Sequence, residues 1–284
     1  MTIREAMLTA QGRLRSEDAR FDALCLAEKA FNLNKTDLRL RGEQSVDPKE
    51  YFALIDRRAS GEPLQYILGE WEFYGLQFVV GPGVLIPRPE TELLVKIAIK
   101  HLRDAPGGKN APPTVLDLCA GSGCVGLSVA HHCPNARVYL IELSDQAMPY
   151  LRENAKAYPN AEVIAADVLN WQLSLPINNW QLSTCQLILA NPPYVKSSEI
   201  AGLSEEVRCE PRMALDGGAD GLTFYRVLAE RWLPRLAPGG LLACECCEGQ
   251  ARDVAAMFSP YATEIKRDFN GVERVVVARR LENA

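Results

Sequence analysis

The apolar run Val115-Leu116-Asp117-Leu118-Cys119 empties into Ala120-Gly121-Ser122-Gly123, and this junction constrains the chain more than any other feature. A strand-like run, a glycine turn and then a helical pattern near 124 to 132 make up the first part of a parallel β-α-β unit. The alternation continues with a strand at 137 to 142, a helix at 145 to 157 and strands at 162 to 166 and 186 to 190. Leu222, Tyr225, Leu228, Trp232 and Leu236 mark a helix stopped by Pro238-Gly239-Gly240, and a strand from Leu241 to Cys246 follows. A helix over 248 to 258 leads to two last strands, near 262 to 268 and 273 to 279, expected to pair as a hairpin. The fold class is therefore α/β with a mostly parallel sheet.

The first 60 or so residues read differently. Thr2 with Glu5 fits a capping box, and Phe21, Leu24, Ala27 and Phe31 recur at helical spacing. A third helix is punctuated by Asp47 as cap, Pro48 in the first turn and Glu50 completing a box, with Phe52 and Ile55 on its apolar face and Gly61 as its end. From Trp71 to Val80 aromatic and aliphatic residues alternate around Gly75, which predicts a two-stranded hairpin. The expected division is a small all-α domain over 1–70, a β-hairpin linker over 71–88 and an α/β domain over 89–284. The repeat Trp171-Gln172-Leu173-Ser174 and Trp180-Gln181-Leu182-Ser183 reads as a surface loop or small hairpin insertion.

The formal net charge is -5, and the imbalance is shared between residues 1 to 72, with 11 basic and 13 acidic side chains, and the rest, with 20 and 23. A nonspecific nucleic-acid binder needs a concentrated positive field, so charge leans toward a protein or small-molecule substrate. Nine scattered cysteines, with no signal-peptide pattern and no apolar stretch long enough to cross a bilayer, fit reduced thiols in the cytoplasm. Cys244, Cys246 and Cys247 have no second Cys/His pair at metal-site spacing and read as core thiols, so no metal is expected. His101, His131 and His132 fall at predicted helix ends, away from the motifs.

Gly121, Gly123 and Gly126 satisfy G-x-G-x-x-G, and Glu142 ends the next strand. Such a turn lets a ligand approach the backbone, and the carboxylate can accept both ribose hydroxyls of any adenosine cofactor, nicotinamide or S-adenosylmethionine alike. Asp117 can brace the turn or meet the amino-acid end of the cofactor, and Asp167, placed at the end of the third strand, flanks the adenine with Val168 or caps the next loop.

The choice between cofactors comes from Asn191-Pro192-Pro193-Tyr194, which follows the strand Leu187-Ile188-Leu189-Ala190. Two prolines stiffen the turn, so the Asn191 side-chain oxygen and the Pro192 carbonyl can each accept one hydrogen of an NH2 group, with Tyr194 packed on the planar group. A carboxamide nitrogen is a poor nucleophile, because its lone pair is delocalised to the extent measured by a rotation barrier of about 18–20 kcal/mol. Acceptors in tetrahedral directions favour the pyramidal nitrogen, and in-line placement can supply roughly 7–11 kcal/mol. The motifs together predict S-adenosylmethionine-dependent methylation of a planar nitrogen, without an obvious strong base.

On these motifs the chain resembles the glutamine-N5 methyltransferases of peptide chain release factors, the HemK/PrmC type. Gly61-Glu62-Pro63-Leu64-Gln65-Tyr66-Ile67-Leu68-Gly69, the segment Phe73 to Val80 and Leu85-Ile86-Pro87-Arg88-Pro89-Glu90-Thr91-Glu92 carry the same resemblance across nearly the whole chain. It implies a substrate-docking helical domain and a class I, Rossmann-like methyltransferase domain. The acceptor it implies is the glutamine of the Gly-Gly-Gln loop of class I release factors, in translation termination. Carried over, the cofactor residues are Cys119, Ala120, Gly121, Ser122, Gly123, Glu142, Val168 and Asn191, to which the strand-end position adds Asp167, and the product is S-adenosylhomocysteine. The catalytic residues are Asn191, Pro192 and Tyr194, and the substrate site adds Pro193, Arg88 and Glu210, the last in a family-like Glu210-Pro211-Arg212-Met213-Ala214-Leu215. Arg88 and Thr91 are expected to roof the cofactor and the substrate loop. Ala120 stands where the family usually has Thr, and Cys246-Cys247 replaces an ordinary Ile-Gly pair after Glu245.

Adenine-N6 DNA and guanine-N2 ribosomal RNA methylation use similar chemistry on a flipped base, but the acidic composition and the Pro87 to Glu92 signature oppose them. A noncatalytic S-adenosylmethionine-binding regulator would not need rigid amide acceptors. The expectation is a cytoplasmic monomer with a protein partner, no direct nucleic acid and no membrane.

Overall fold

The computed structural model describes residues 1–16, 18–104, 112–170 and 184–281, so the Trp-Gln-Leu-Ser repeat lies outside the described residues. The chain begins with five helices: α1 (Ile3–Arg13), α2 (Ala19–Phe31), α3 (Lys35–Leu40), α4 (Lys49–Ala59) and α5 (Leu64–Leu68). The expected capping box opens α1, with Thr2 Oγ1 accepting from Glu5 N at 3.2 Å and Glu5 Oε2 accepting from Thr2 N at 2.9 Å. The apolar face expected of α2 is rotated. Ala23, Leu26 and Ala27 are buried with Asp22, while Phe21 is exposed. The reason lies in α4, which buries Tyr51, Leu54, Ile55 and Arg58 and so sets a cation opposite Asp22. Asp47 accepts from Lys49 N at 3.1 Å, yet Pro48 stands at the cap position, and Phe52 packs partly buried against the helical core with the Arg13 guanidinium 4.3 Å over its ring. Short α3 and α5, absent from the periodicity reading, complete the layer.

The hairpin is β1 (Glu70–Phe73) and β2 (Leu76–Val79), joined by Tyr74-Gly75 with φ of 53° and 75°. Two positive φ values in a two-residue turn match the right-handed twist of the strands. Helix α6 (Glu92–Asp104) then leads to a seven-stranded sheet of β3 (Thr114–Leu118), β4 (Arg137–Glu142), β5 (Ala161–Ala165), β6 (Cys185–Ala190), β7 (Leu236–Glu245), β8 (Ala262–Arg267) and β9 (Glu273–Arg279). The order is β5-β4-β3-β6-β7-β9-β8, parallel from β5 to β7, with the expected antiparallel pair at the C-terminal end.

The central strands β3, β4 and β6 are buried on both faces, which is why their sequences are mostly apolar. Val115, Leu187, Leu189 and Leu241 pack under α6, α7 (Cys124–His132) and α8 (Met148–Ala155). Their neighbours Leu116, Leu118, Ile188 and Leu242 face Tyr225, Trp232, Val254 and Phe258 on the other side. Truncating any one of these buried leucines to alanine costs about 2–5 kcal/mol.

The helix expected over Leu222 to Leu236 is instead three pieces, α11 (Thr223–Val227), a π turn at Leu228–Trp232 and a 3-10 turn at Leu233–Arg235. Leu236 already belongs to β7, where it pairs with Cys185 across a register shift. Strand pairing therefore takes over before the Pro-Gly-Gly that was expected to stop the helix. Between β6 and α11 lie the short helices α9 (Glu205–Arg208) and α10 (Arg212–Leu215), and α12 (Ala251–Met257) follows β7.

Candidate active site

Strand β3 pairs with β4 on one side and β6 on the other, so the chain reverses its winding between β3 and β6. A crevice opens at the carboxyl ends of strands at such a switch point. Because Leu118 pairs with Ala190, the glycine turn and Asn191 leave adjacent strands at the same level. Both enter one cavity of about 520 Å³, a size suited to a small-molecule ligand.

Arg88, Cys119, Ala120, Gly121, Ser122, Glu142, Asp167, Val168, Asn191 and Pro193 of the expected site line this cavity. Gly123, Pro192, Tyr194 and Glu210 are not among its lining residues. A Cβ on Gly123 would meet Leu151 Cδ1 at 2.6 Å, so this glycine makes room for α8. Gly126 lets α7 approach the sheet, since a Cβ there would sit 2.4 Å from Leu140 Cδ2 and 2.8 Å from Asp117 Oδ2. Glu210 is buried, accepts from Ile86 N at 3.1 Å and pairs with Arg88, which fastens the 84–88 strap to the segment before α10.

Asp117 accepts from Gly126 N at 2.8 Å, bracing the turn. Burial pushes its carboxyl up to about 7; the Gly126 N–H opposes that rise and the Glu142 charge adds to it. Glu142 is buried, not a surface carboxylate. Its Oε2 accepts from Gly121 N at 2.7 Å and its Oε1 from Leu143 N at 2.8 Å and Ser144 N at 2.7 Å. A carboxylate has about four acceptor sites, so one remains after these three. Asp167 lies beyond the end of β5 and takes the loop-capping role, accepting from Leu169 N at 2.8 Å and Asn170 Nδ2 at 2.7 Å. Cys119 holds φ 62°, a left-handed conformation rare outside glycine, and burial keeps its thiol protonated.

The β6 end is organised by a chain of side chains. Asn191 Nδ2 donates to Thr91 Oγ1 at 3.2 Å, Thr91 Oγ1 donates to Glu245 Oε2 at 2.6 Å, and Tyr194 OH donates to Glu245 Oε1 at 3.4 Å. Thr91 and Glu245 are almost fully buried. Burial lifts the Glu245 carboxyl to about 7, against the pull of Thr91, Arg274 and Tyr194. Asn191 Oδ1 is buried and has no hydrogen-bond partner. The backbone of the turn is clamped as well: Val195 N donates to Leu215 O at 2.9 Å, Gly217 N to Val195 O at 2.8 Å, and Gln250 Nε2 to Tyr194 O at 3.0 Å. A Cβ on Gly217 would lie 2.8 Å from the Pro193 carbonyl, so the clamp closes only over a glycine.

Comparison with known proteins meets this geometry at both ends of the chain. Residues 5–69 match the family model described as PrmC N-terminal domain, and residues 92–198 match the one described as lysine methyltransferase. The release factor glutamine methyltransferase of Geobacter sulfurreducens is 40% identical over 290 residues, covering 98% of this chain and 96% of that protein. That of Moorella thermoacetica is 38% identical over 292 residues, covering 99% of this chain and 100% of that protein. The chain belongs to the release factor glutamine methyltransferase family. The hMettl16 catalytic domain, solved with a MAT2A 3'UTR hairpin, shares the fold at a TM-score of 0.54 and 12% identity, over 83% of this chain and 82% of that one.

Glu245, which anchors the chain of hydrogen bonds at the β6 end, is not among the site residues expected from the sequence. Its signal was present as an acidic residue inside the buried strand run Leu241-Leu242-Ala243-Cys244-Glu245-Cys246, where a carboxylate needs a partner. Arg58 was missed too. It is buried, donates to Asp22 Oδ2 at 2.7 Å and pairs with Glu206, so it ties α2, α4 and α9 together. All nine cysteines are free; Cys244 and Cys246 lie in the core as expected, while Cys247 is only half-buried. Among the described residues no helix is long and apolar enough to cross a membrane.

Proposed function

We propose that the protein transfers a methyl group from S-adenosylmethionine to the side-chain amide nitrogen, N5, of the glutamine in the Gly-Gly-Gln loop of class I peptide chain release factors. The observation that carries this reading is Asn191 Oδ1, a buried acceptor without a donor, at the end of the strand next to the glycine turn. A glutamine side-chain NH2 supplies the missing donor.

The cavity fits the cofactor on chemical grounds. Gly121 leaves open space beside its backbone, with only Val84 Cγ2 at 3.9 Å from an added Cβ. Glu142 keeps an acceptor site for the ribose, Cys119 to Ser122 hold the amino-acid end, and Asp167 with Val168 flanks the adenine. When bound, S-adenosylmethionine supplies an electrophilic methyl group. Asn191 Oδ1 and the Pro192 carbonyl take the two amide hydrogens, which favours the pyramidal nitrogen and aims its lone pair. Tyr194 stands behind this turn, its hydroxyl on Glu245, and buttresses it. Glu210 holds Arg88 at the rim, where the release factor loop enters.

In the same reading, residues 1–70 dock the protein substrate, 71–88 link and 89–284 carry the chemistry. Among the described residues, the only basic side chain lining the cavity is Arg88, and it is already paired with Glu210. Phosphate recognition needs free cations, so a protein acceptor is favoured over a nucleic acid. Labelled methyl donor offered separately with release factor, DNA and ribosomal RNA tests this. Label is expected on the release factor glutamine after peptide mapping; label in DNA or RNA instead would overturn the reading.

A further inference from the structure

The Asn191 amide works only one way round. With Oδ1 toward the acceptor nitrogen it receives a hydrogen, and reversed it presents its own NH2 to another NH2. Nothing in the Asn-Pro-Pro-Tyr turn itself makes that choice. Thr91, 100 residues earlier in the chain, meets Asn191 through a hydroxyl that has one proton to give. Glu245 takes that proton at 2.6 Å. The Thr91 oxygen is then left as an acceptor, and the only Asn191 group it can accept is Nδ2.

We infer that Glu245 is a positioning residue: acting through Thr91, its carboxylate fixes the orientation of the Asn191 amide and so keeps Oδ1 facing the methyl acceptor. The inference rests on the glutamine-amide reading above. Its elements come from three distant parts of the chain, Thr91 in the 3-10 turn just before α6, Asn191 after β6 and Glu245 ending β7.

A protonated Glu245 undoes the arrangement. It becomes a donor to Thr91 Oγ1, which frees the Thr91 hydroxyl to donate to Asn191 Oδ1 and turns the amide over. The surroundings set where this happens. Thr91, Tyr194 and Arg274 of β9 stabilise the charge, while burial and Glu90 oppose it, with the protonated thiol of Cys124 and the phenol of Tyr225 packed alongside. Arg274 is itself held by Asp268 at 3.2 Å, and Tyr225 OH donates to the Glu245 backbone carbonyl at 2.8 Å. The balance leaves the carboxyl near pH 7, so turnover falls as the medium is acidified through neutrality.

These carboxyls move stability the other way. Asp117 and Glu245 are both raised in the folded protein, so between about pH 7 and their ordinary carboxylate range they bind more protons in the folded state than in the unfolded chain, and their contribution to stability grows on acidification. His101 and His132, held below the ordinary imidazole range by burial, act in the opposite sense, so circular dichroism at each pH separates lost turnover from unfolding.

The test measures kcat for methylation of a release factor from pH 5.5 to 9, with S-adenosylmethionine affinity by calorimetry, in wild type, Thr91→Val, Thr91→Ser and Glu245→Gln. Thr91→Val is expected to lower kcat about 10- to 100-fold with cofactor affinity kept within threefold. Thr91→Ser restores the hydroxyl and brings kcat back to within threefold. Glu245→Gln cannot titrate, and its kcat is expected to lose the acid limb. An unaltered acid limb in Glu245→Gln, or wild-type turnover in Thr91→Val, would overturn the inference. A wild-type enzyme that leaves release factor unlabelled would instead sink the function on which it rests.

Discussion

The two ends of the cavity are built on opposite terms. At the β3 end the carboxylates are occupied: buried Glu142 takes three backbone N–H groups, buried Asp117 takes Gly126 N, and half-buried Asp167 caps its own loop. At the β6 end a chain of hydrogen bonds runs from Glu245 to Asn191 and stops at an oxygen with no donor. The first end is a finished cradle that a large ligand can lie against. The second carries an unsatisfied buried acceptor, a condition worth about 1–3 kcal/mol that an incoming hydrogen-bond donor relieves. Shape selects at one end, and a single missing proton donor selects at the other.

Removing the Asn191 side chain separates the two ends most sharply. Asn191→Ala is expected to lower kcat about 10²–10³-fold, the usual cost of one group aligned on a reacting centre, with S-adenosylmethionine affinity unchanged. Calorimetry beside single-turnover rates checks this, and a matching loss of cofactor affinity would mean the two ends are not independent. Gly126→Ala attacks the cradle from beneath by pushing a methyl into Leu140 and Asp117. It is expected to cost about 1–3 kcal/mol in denaturant unfolding, and a neutral effect would show the α7 contact to be slack. Glu142→Gln is the mildest change. An amide can accept at one oxygen but brings N–H groups against N–H groups at the other, so cofactor affinity should fall about tenfold by calorimetry. An undiminished affinity would leave Glu142 as a brace for the turn alone.

The sequence announced the cradle better than the acceptor end. Strands β3 and β4 and helix α7 follow from local pattern, and the glycines and Glu142 stand at short spacing, so their meeting is a local matter. Asn191 was legible from its two prolines. Thr91 and Glu245 were not joined in that reading, because they meet across 154 residues and no periodicity relates them. The face of α2 was misjudged for a similar reason: Arg58 on α4, not the apolar count, decides that Asp22 turns inward. The helix expected to reach Leu236 gave way to a strand because Cys185 offered that residue a ladder partner. Each miss is a case of a distant partner overriding a local preference.

The pairing of Leu118 with Ala190 has a consequence for how such a protein can change over time. Side chains along a strand alternate between faces, so one residue inserted into β6 would swing Asn191 to the far side of the sheet, and no point substitution elsewhere could bring it back. Descendants of this chain are therefore free to vary the rim that receives a visitor, but the spacing of the two central strands is inherited whole or lost.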